Sequence, residues 1–260
     1  MEENVHARRQ TAIIILVLLG LGIMMMLTNR WFTFMDDEVA ILQDATAPVQ
    51  QTVHAFVNGL GQHRHPPLYD LVLAGWLRLS GGKVALLRLP ATVFYILGLW
   101  FVIQAAGLMG GAGARRAALC LGAIFPYGFH FGRIAGWYSF SFFSLALVTY
   151  AYLRIKEKPD WGRWLLLVFA SVLAIYANYF LLALIGLLAL DYWLRHRRKS
   201  VKHLAAAAGT LLLILLAFFP LLRPFLFRLA ADESILRPVF SLKATALFGG
   251  YNLYTLFVSE

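Results

Sequence analysis

Asp36-Asp37-Glu38 puts three carboxylates in consecutive positions, just after the first long apolar stretch of the chain. Carboxylates at the edge of a hydrophobic span are costly to hold there. Neighbouring negative charges repel, so keeping them together implies a cation, a proton or a polar substrate close by. One of them could act as general base, drawing a proton from an attacking hydroxyl. The trio equally suits the start of a helix opening near Val39, with Asp36 or Asp37 as its N-cap and acids favoured in its first turn. The residues alone leave both roles open.

Two more groups could do chemistry. In His63-Arg64-His65-Pro66-Pro67-Leu68-Tyr69 the prolines impose an extended approach and set His65 at its edge. His65 could hold a phosphate or a metal. The i,i+2 spacing of His63 and His65 fits a strand-like pair, a weak metal signal beside the ordinary reading of interfacial histidines. Phe131-Gly132-Arg133-Ile134-Ala135-Gly136-Trp137-Tyr138-Ser139 sets an arginine among aromatic rings. Arg133 could grip a phosphate with two parallel hydrogen bonds, or it could be an arginine snorkelling in an aromatic belt. Arg88, beside Pro90, has the same two readings. Asn178 and Tyr179 could line a cavity, Asp191 is placed to pair with Arg195 at i+4, and Pro220, Arg223, Pro224, Arg228 and Asp232-Glu233 read as an outer loop.

The elements that must position these residues are membrane helices. The chain has 260 residues, 60% hydrophobic and only 14% charged, a profile outside the soluble globular range. A helix needs about 20 apolar residues to cross the hydrocarbon core. By that measure spans fall at roughly 11–28, 84–107, 117–132, 138–154, 163–178, 179–194 and 204–222, with an eighth starting near Ser241. Leu68 to Leu79 is too short to cross and is polarised by Asp70 and Arg78, so it reads as a helix lying on the membrane surface, stopped by Ser80-Gly81-Gly82. A second surface helix follows Pro48, with Val49, Val53, Phe56 and Leu60 at helical spacing and Gly59 and Gly61 closing it. Cys120 is the one cysteine, which excludes an internal disulfide and a thiolate metal cluster.

The formal charge of +10 comes from short basic runs between apolar spans, such as Arg195-His196-Arg197-Arg198-Lys199. That distribution marks cytoplasmic loops and anionic lipid headgroups, and it argues against nucleic acid as a partner. With the Leu68–Leu79 segment on the surface, Arg8, Arg9, Arg115, Arg116, Arg154, Lys156, Lys158, Arg163 and the 195–202 bases share the cytoplasmic side. Asp36, Asp37, Glu38, Asp44, Asp70, Asp232 and Glu233 then share the outer side. The first outer loop runs over 29–83, the longest polar stretch of the chain. Loops of that length in a compact fold are usually functional.

Asp37-Glu38 after the first span, His65 to Tyr69, Leu87-Arg88-Leu89-Pro90 opening the next span, and Arg133 with Tyr138 in a later outer turn together resemble the GT-C membrane glycosyltransferases. The likeness is greatest to the protein O-mannosyltransferase and aminoarabinose-transferase-like branch, and it covers nearly the whole chain. It implies an all-α polytopic membrane protein, one module over 1–260 with about seven to eight transmembrane helices. It also implies sugar transfer from a polyprenyl-phosphate-linked donor to a lipid, glycan or protein acceptor at the extracytoplasmic face, with inversion. Asp37 matches the catalytic acid position, with Glu38 its partner and Asp36 beside it. Arg133 and Tyr138 match the turn near the donor phosphate, and His65, Tyr69 and Arg88 belong to the same substrate side.

Ile134 and Gly136 stand where family members commonly carry Glu and a second Arg, and relatives continue beyond the position of Glu260, so a fragment is expected. The resemblance assigns no metal ligand, and a divalent cation is compatible with it. The alternative is a non-catalytic membrane protein: a transporter, a lipid-binding scaffold or an inactive truncated homologue. The implied location is a multi-pass protein of a bacterial plasma membrane, surrounded by membrane lipids, with its N-terminus cytoplasmic.

Overall fold

A computed structural model describes residues 2–29, 36–58, 65–196 and 201–231, and every regular element among them is helical. In chain order these are α1 (Glu2–Thr28), α2 (Asp36–Thr46), α3 (Val49–Val57), α4 (Leu68–Ser80), α5 (Leu89–Ile124), α6 (Pro126–Phe131), α7 (Trp137–Glu157), α8 (Trp161–Ala177), α9 (Leu181–His196) and α10 (Val201–Ala231). Arg9–Thr28, Leu89–Ile124 and Leu204–Phe227 are long and apolar enough to cross a membrane, and Trp161–Ala177 is a shorter apolar helix. Leu16, Leu27, Phe169 and Phe219 point outward from them. Large apolar side chains displayed this way are stable against lipid and not against water. The protein is an all-α integral membrane protein.

The helices run back and forth between two ends. α5 is an antiparallel hairpin, because Gly110 and Gly111 leave helical geometry in its middle and Gly111 takes φ 68° and ψ −155°. That backbone region is nearly closed to residues with a side chain. The two arms then touch, with Gly122 against Leu99, and α6 continues the contact with Gly128 against the Tyr95 ring, approaches that an added side chain would overlap. α1 packs on the first arm through Ile14, Leu18, Met25, Tyr95 and Ile103. α7, α8, α9 and α10 follow up and down, their shared core built from Leu147, Val148, Ala170, Ile175, Ile185 and Ile214.

Several sequence expectations are corrected. The single span over 117–132 is two pieces, because Phe125 is extended before Pro126 and ends the second arm of α5. The acidic trio opens α2 at Asp36 instead of preceding a helix at Val39. α3 does follow Pro48, but it buries Thr52 and Phe56 while Val49 and Val53 remain partly exposed. The stretch containing Pro220, Arg223, Pro224 and Arg228 is helical, not a loop, and both prolines lie inside α10. Membrane helices tolerate such prolines where neighbouring packing compensates, and Leu221 and Pro224 are buried here. α4 matches the expected short helix and ends on Gly81 at φ 64°. Leu60, His63, Arg64, the 197–200 bases, Asp232-Glu233 and the span near Ser241 lie outside the described residues.

Candidate functional site

The end of the molecule where α1 finishes, α2 and α5 begin and α6 turns into α7 collects the sequence-selected residues. Its centre is Glu38, wholly buried in the first turn of α2. Arg88, just before α5, meets it with both prongs of its guanidinium, Nε to Oε1 at 2.8 Å and Nη2 to Oε2 at 2.7 Å. The backbone N–H of Ala135 donates to Oε1 at 2.8 Å. Arg88 Nη1 donates to the Asn29 carbonyl at 3.2 Å, so the end of α1 is drawn in as well. One carboxylate therefore ties together four stretches of chain that are far apart in sequence. A planar fork on a carboxylate is the arrangement that makes a buried ion pair tolerable.

Arg133 sits beside this knot and is buried. Its Nε donates to the Phe129 carbonyl at 3.0 Å, its Nη1 to Thr28 Oγ1 at 2.9 Å, and its guanidinium lies 4.0 Å from the centre of the Phe129 ring. Burial, and then the charge of Arg88, push its pKa down to about 10, which leaves it cationic at neutral pH. Two guanidinium groups close enough to repel create a positive locus that an anion would relieve.

The approach to α4 closes one flank. His65 stacks on Trp137, with ring centres 3.8 Å apart, and Trp137 stacks on Tyr138 at 4.3 Å. Tyr69 is buried against Phe140, and its hydroxyl has no hydrogen-bond partner among the described residues. Burial first, then Asp70 and Glu38, raise its pKa and keep the phenol neutral. Below Tyr138 opens an apolar cavity of about 570 Å³, walled by Tyr95, Gly122, Gly128, Phe131, Tyr138 and Phe142.

Glu38, Arg88 and Arg133 are thus brought together, with Tyr138 and the His65–Trp137 stack along the same turn. Tyr69 reaches the site from behind. Asp36 and Asp37 share the first turn of α2 with Glu38, but their side chains lie outside the described residues. No group of three or more His, Cys, Asp or Glu able to hold a metal occurs among the described residues. Asn178 is buried and turns α8 into α9 by accepting from the Phe180 N–H at 3.0 Å. Asp191 pairs with Arg195 at 2.8 Å, as the spacing predicts.

The residue types place Glu38 and Arg88 at one membrane boundary and do not reveal that they pair. The signal in the sequence is one acid and one base assigned to the same membrane boundary, each expensive to bury unless matched. Thr28, Phe129 and the Ala135 N–H carried no such signal.

Residues 64–223, well over half the chain, match the profile of the dolichyl-phosphate-mannose-protein mannosyltransferase family. The chain belongs to this family. No curated protein and no solved structure matches it significantly. Membership in the mannosyltransferase family supports glycosyltransferase activity with a lipid-linked sugar donor. The matched stretch takes in His65, Tyr69, Arg88, Arg133 and Tyr138, whereas the acidic trio lies before it. In this family member the Glu38–Arg88 fork is the physical link between the two.

Proposed function

We propose that the protein transfers a sugar from a polyprenyl-phosphate-linked donor to an acceptor at the extracytoplasmic membrane face, with inversion, and that Asp37 is the general base. The supporting observation is the Glu38 knot, which fixes the α2 first turn against the turn carrying Arg133. The first turn of α2, which carries the proposed base, is thereby tied to the segment that carries Arg133. Asp37 takes the proton of the acceptor hydroxyl as it attacks the anomeric carbon, and the bond to the lipid phosphate breaks. Arg133 stabilises the phosphate as charge accumulates on it, an interaction that strengthens toward the transition state. The apolar cavity under Tyr138 receives the first part of the prenyl tail. Glu38 and Arg88 hold the geometry, and Asp36, His65 and Tyr69 border the substrate.

The test incubates membranes carrying the protein with labelled polyprenyl-phosphate sugars, with and without chelator. Asp37→Asn should lower transfer by about 10²–10⁴-fold, the usual contribution of a positioned general base, with membrane insertion unchanged. Undiminished turnover by that variant would remove Asp37 from the mechanism.

A further inference from the structure

His130, on α6, has no part in the mechanism above. It lies between Phe129, on which Arg133 stacks, and Phe131, which walls the apolar cavity. The residue is half-buried, and its ring meets that of Phe131 edge to face with centres 5.2 Å apart. The helix closes in a 3₁₀ turn, with the Arg133 N–H donating to the His130 carbonyl at 3.2 Å and the Ile134 N–H to the Phe131 carbonyl at 3.3 Å. Residues three apart eclipse in such a turn, so Arg133 follows His130 along one edge of α6. Gly128, Phe131 and Gly132 line the cavity from the other edge. His130 is thus placed where the proposed tail cavity meets the proposed phosphate locus.

Charge decides what it can do there. Burial first, and then Arg133 beside it, hold the His130 pKa below the ordinary histidine value, with Glu38 of α2 acting in the opposite sense. Glu38 is itself held by Arg88. Before an anion binds, the imidazole is therefore neutral at pH 7, which spares Arg133 a neighbouring cation. A phosphodiester carries one negative charge, whereas a phosphate monoester carries about 1.5–2 at pH 7. Arg133 supplies one positive charge against it. An anion arriving beside the ring favours the imidazolium and so adds a second.

Building on the donor site proposed above, and resting on it, we infer that the His130 imidazole is a second phosphate contact. It takes a proton from water as the lipid-linked donor binds, and it donates an N–H hydrogen bond to a non-bridging phosphate oxygen. When the bond between the anomeric carbon and the phosphate oxygen breaks, the electron pair passes to that oxygen. Arg133 and the imidazolium then share the added charge, and no bond to His130 forms. The proton returns to water as the lipid phosphate departs.

The experiment is calorimetric titration of the detergent-solubilised full chain with farnesyl methyl phosphate, a phosphodiester whose single charge is constant between pH 6 and pH 8, and with farnesol as the uncharged control. Wild type should bind the phosphodiester about tenfold tighter at pH 6 than at pH 8, the contribution of one charge-assisted hydrogen bond. At pH 7 binding should draw protons from the buffer, seen as a heat that varies with the buffer's ionisation enthalpy. His130→Gln should lose both the pH dependence and the proton uptake while still preferring the phosphodiester to farnesol. His130→Lys, a fixed cation, should bind tightly at both pH values, and it decides if His130→Gln fails to fold. Asp70, with a pKa raised to about 7, titrates in the same range, so Asp70→Asn is the control and should keep the dependence. A phosphodiester preference that is independent of pH in wild type, that keeps its pH dependence in His130→Gln, or that loses it in Asp70→Asn would overturn the inference and leave the donor site standing. Equal binding of the phosphodiester and farnesol by wild type would overturn the donor site and the His130 contact with it.

Discussion

At the Glu38 carboxylate, two guanidinium nitrogens and one backbone amide converge on a side chain that is 0% exposed. The physical consequence is asymmetric. Glu38→Gln leaves the Arg88 charge buried without its counter-charge and should cost about 3–5 kcal/mol of stability. Glu38→Gln/Arg88→Met removes the orphaned charge and should recover a substantial part of that loss. Thermal unfolding followed by circular dichroism in detergent would measure both, and strictly additive losses would refute the pairing as the source of the cost. Asp70, in the first turn of α4, behaves differently. Burial first and Asp44 second raise its pKa to about 7, well above the ordinary carboxylate value. The protonated form is therefore favoured in the fold. Its stabilising contribution is complete below about pH 4 and is lost as pH rises through about 7. Asp70→Asn should unfold at a higher temperature than wild type at pH 8, and the gap should shrink steadily toward pH 5. A gap independent of pH would show that Asp70 is not the titrating group.

The elements were legible in the residues wherever composition and punctuation act alone. Apolar run length located α1, α8 and α9, Pro48 started α3, and Ser80-Gly81-Gly82 ended α4. Breaks that depend on packing were harder to read. Pro220 and Pro224 look like a loop by local chemistry, yet α10 continues through them, with Leu221 in the core cluster that holds Ile175 and Tyr179 and Pro224 buried. The same limit explains α3, where Thr52 and Phe56 are buried by tertiary contacts that the Val49–Val53 spacing does not reveal. The acidic cluster, the arginine turn and the histidine approach were visible as chemistry, but the Glu38–Arg88 fork spans 50 positions, and no local pattern encodes it. The α5 hairpin offers a test at this scale. Gly111 at φ 68° should pay about 1–3 kcal/mol if changed to alanine. Gly113→Ala, in helical backbone with open space around it, should be neutral or stabilising by up to about 1 kcal/mol. Equal unfolding temperatures for the two variants would mean that the reversal does not depend on that torsion.

For the whole molecule, the distribution of charge between the two ends carries the functional geometry. Arg154, Lys156, Arg163 and Arg195 gather with Glu157, Asp160 and Asp191 at one end, and Arg115 reaches Thr11 of α1 at the same end of its hairpin. Glu38, Arg88 and Arg133 occupy the other. Bases accumulate on the cytoplasmic side of membrane proteins because translocating them is unfavourable, so the basic end should face the cytosol and the glycosyl-transfer site the exterior. A lipid-linked donor reacting at that outer surface would leave its headgroup beside Arg133 and its tail in the adjacent cavity, and the reverse orientation would present the same arrangement to the cytosol. Single-cysteine variants decide between the two. With Cys120→Ser as background, Lys83→Cys should react with a membrane-impermeant maleimide on intact cells, and Lys158→Cys only after permeabilisation. Both positions are exposed, so reactivity reports sidedness and not burial. Labelling of position 158 and not 83 from outside would turn the molecule over. The candidate site would then open to the cytosol, and extracytoplasmic transfer would no longer be tenable.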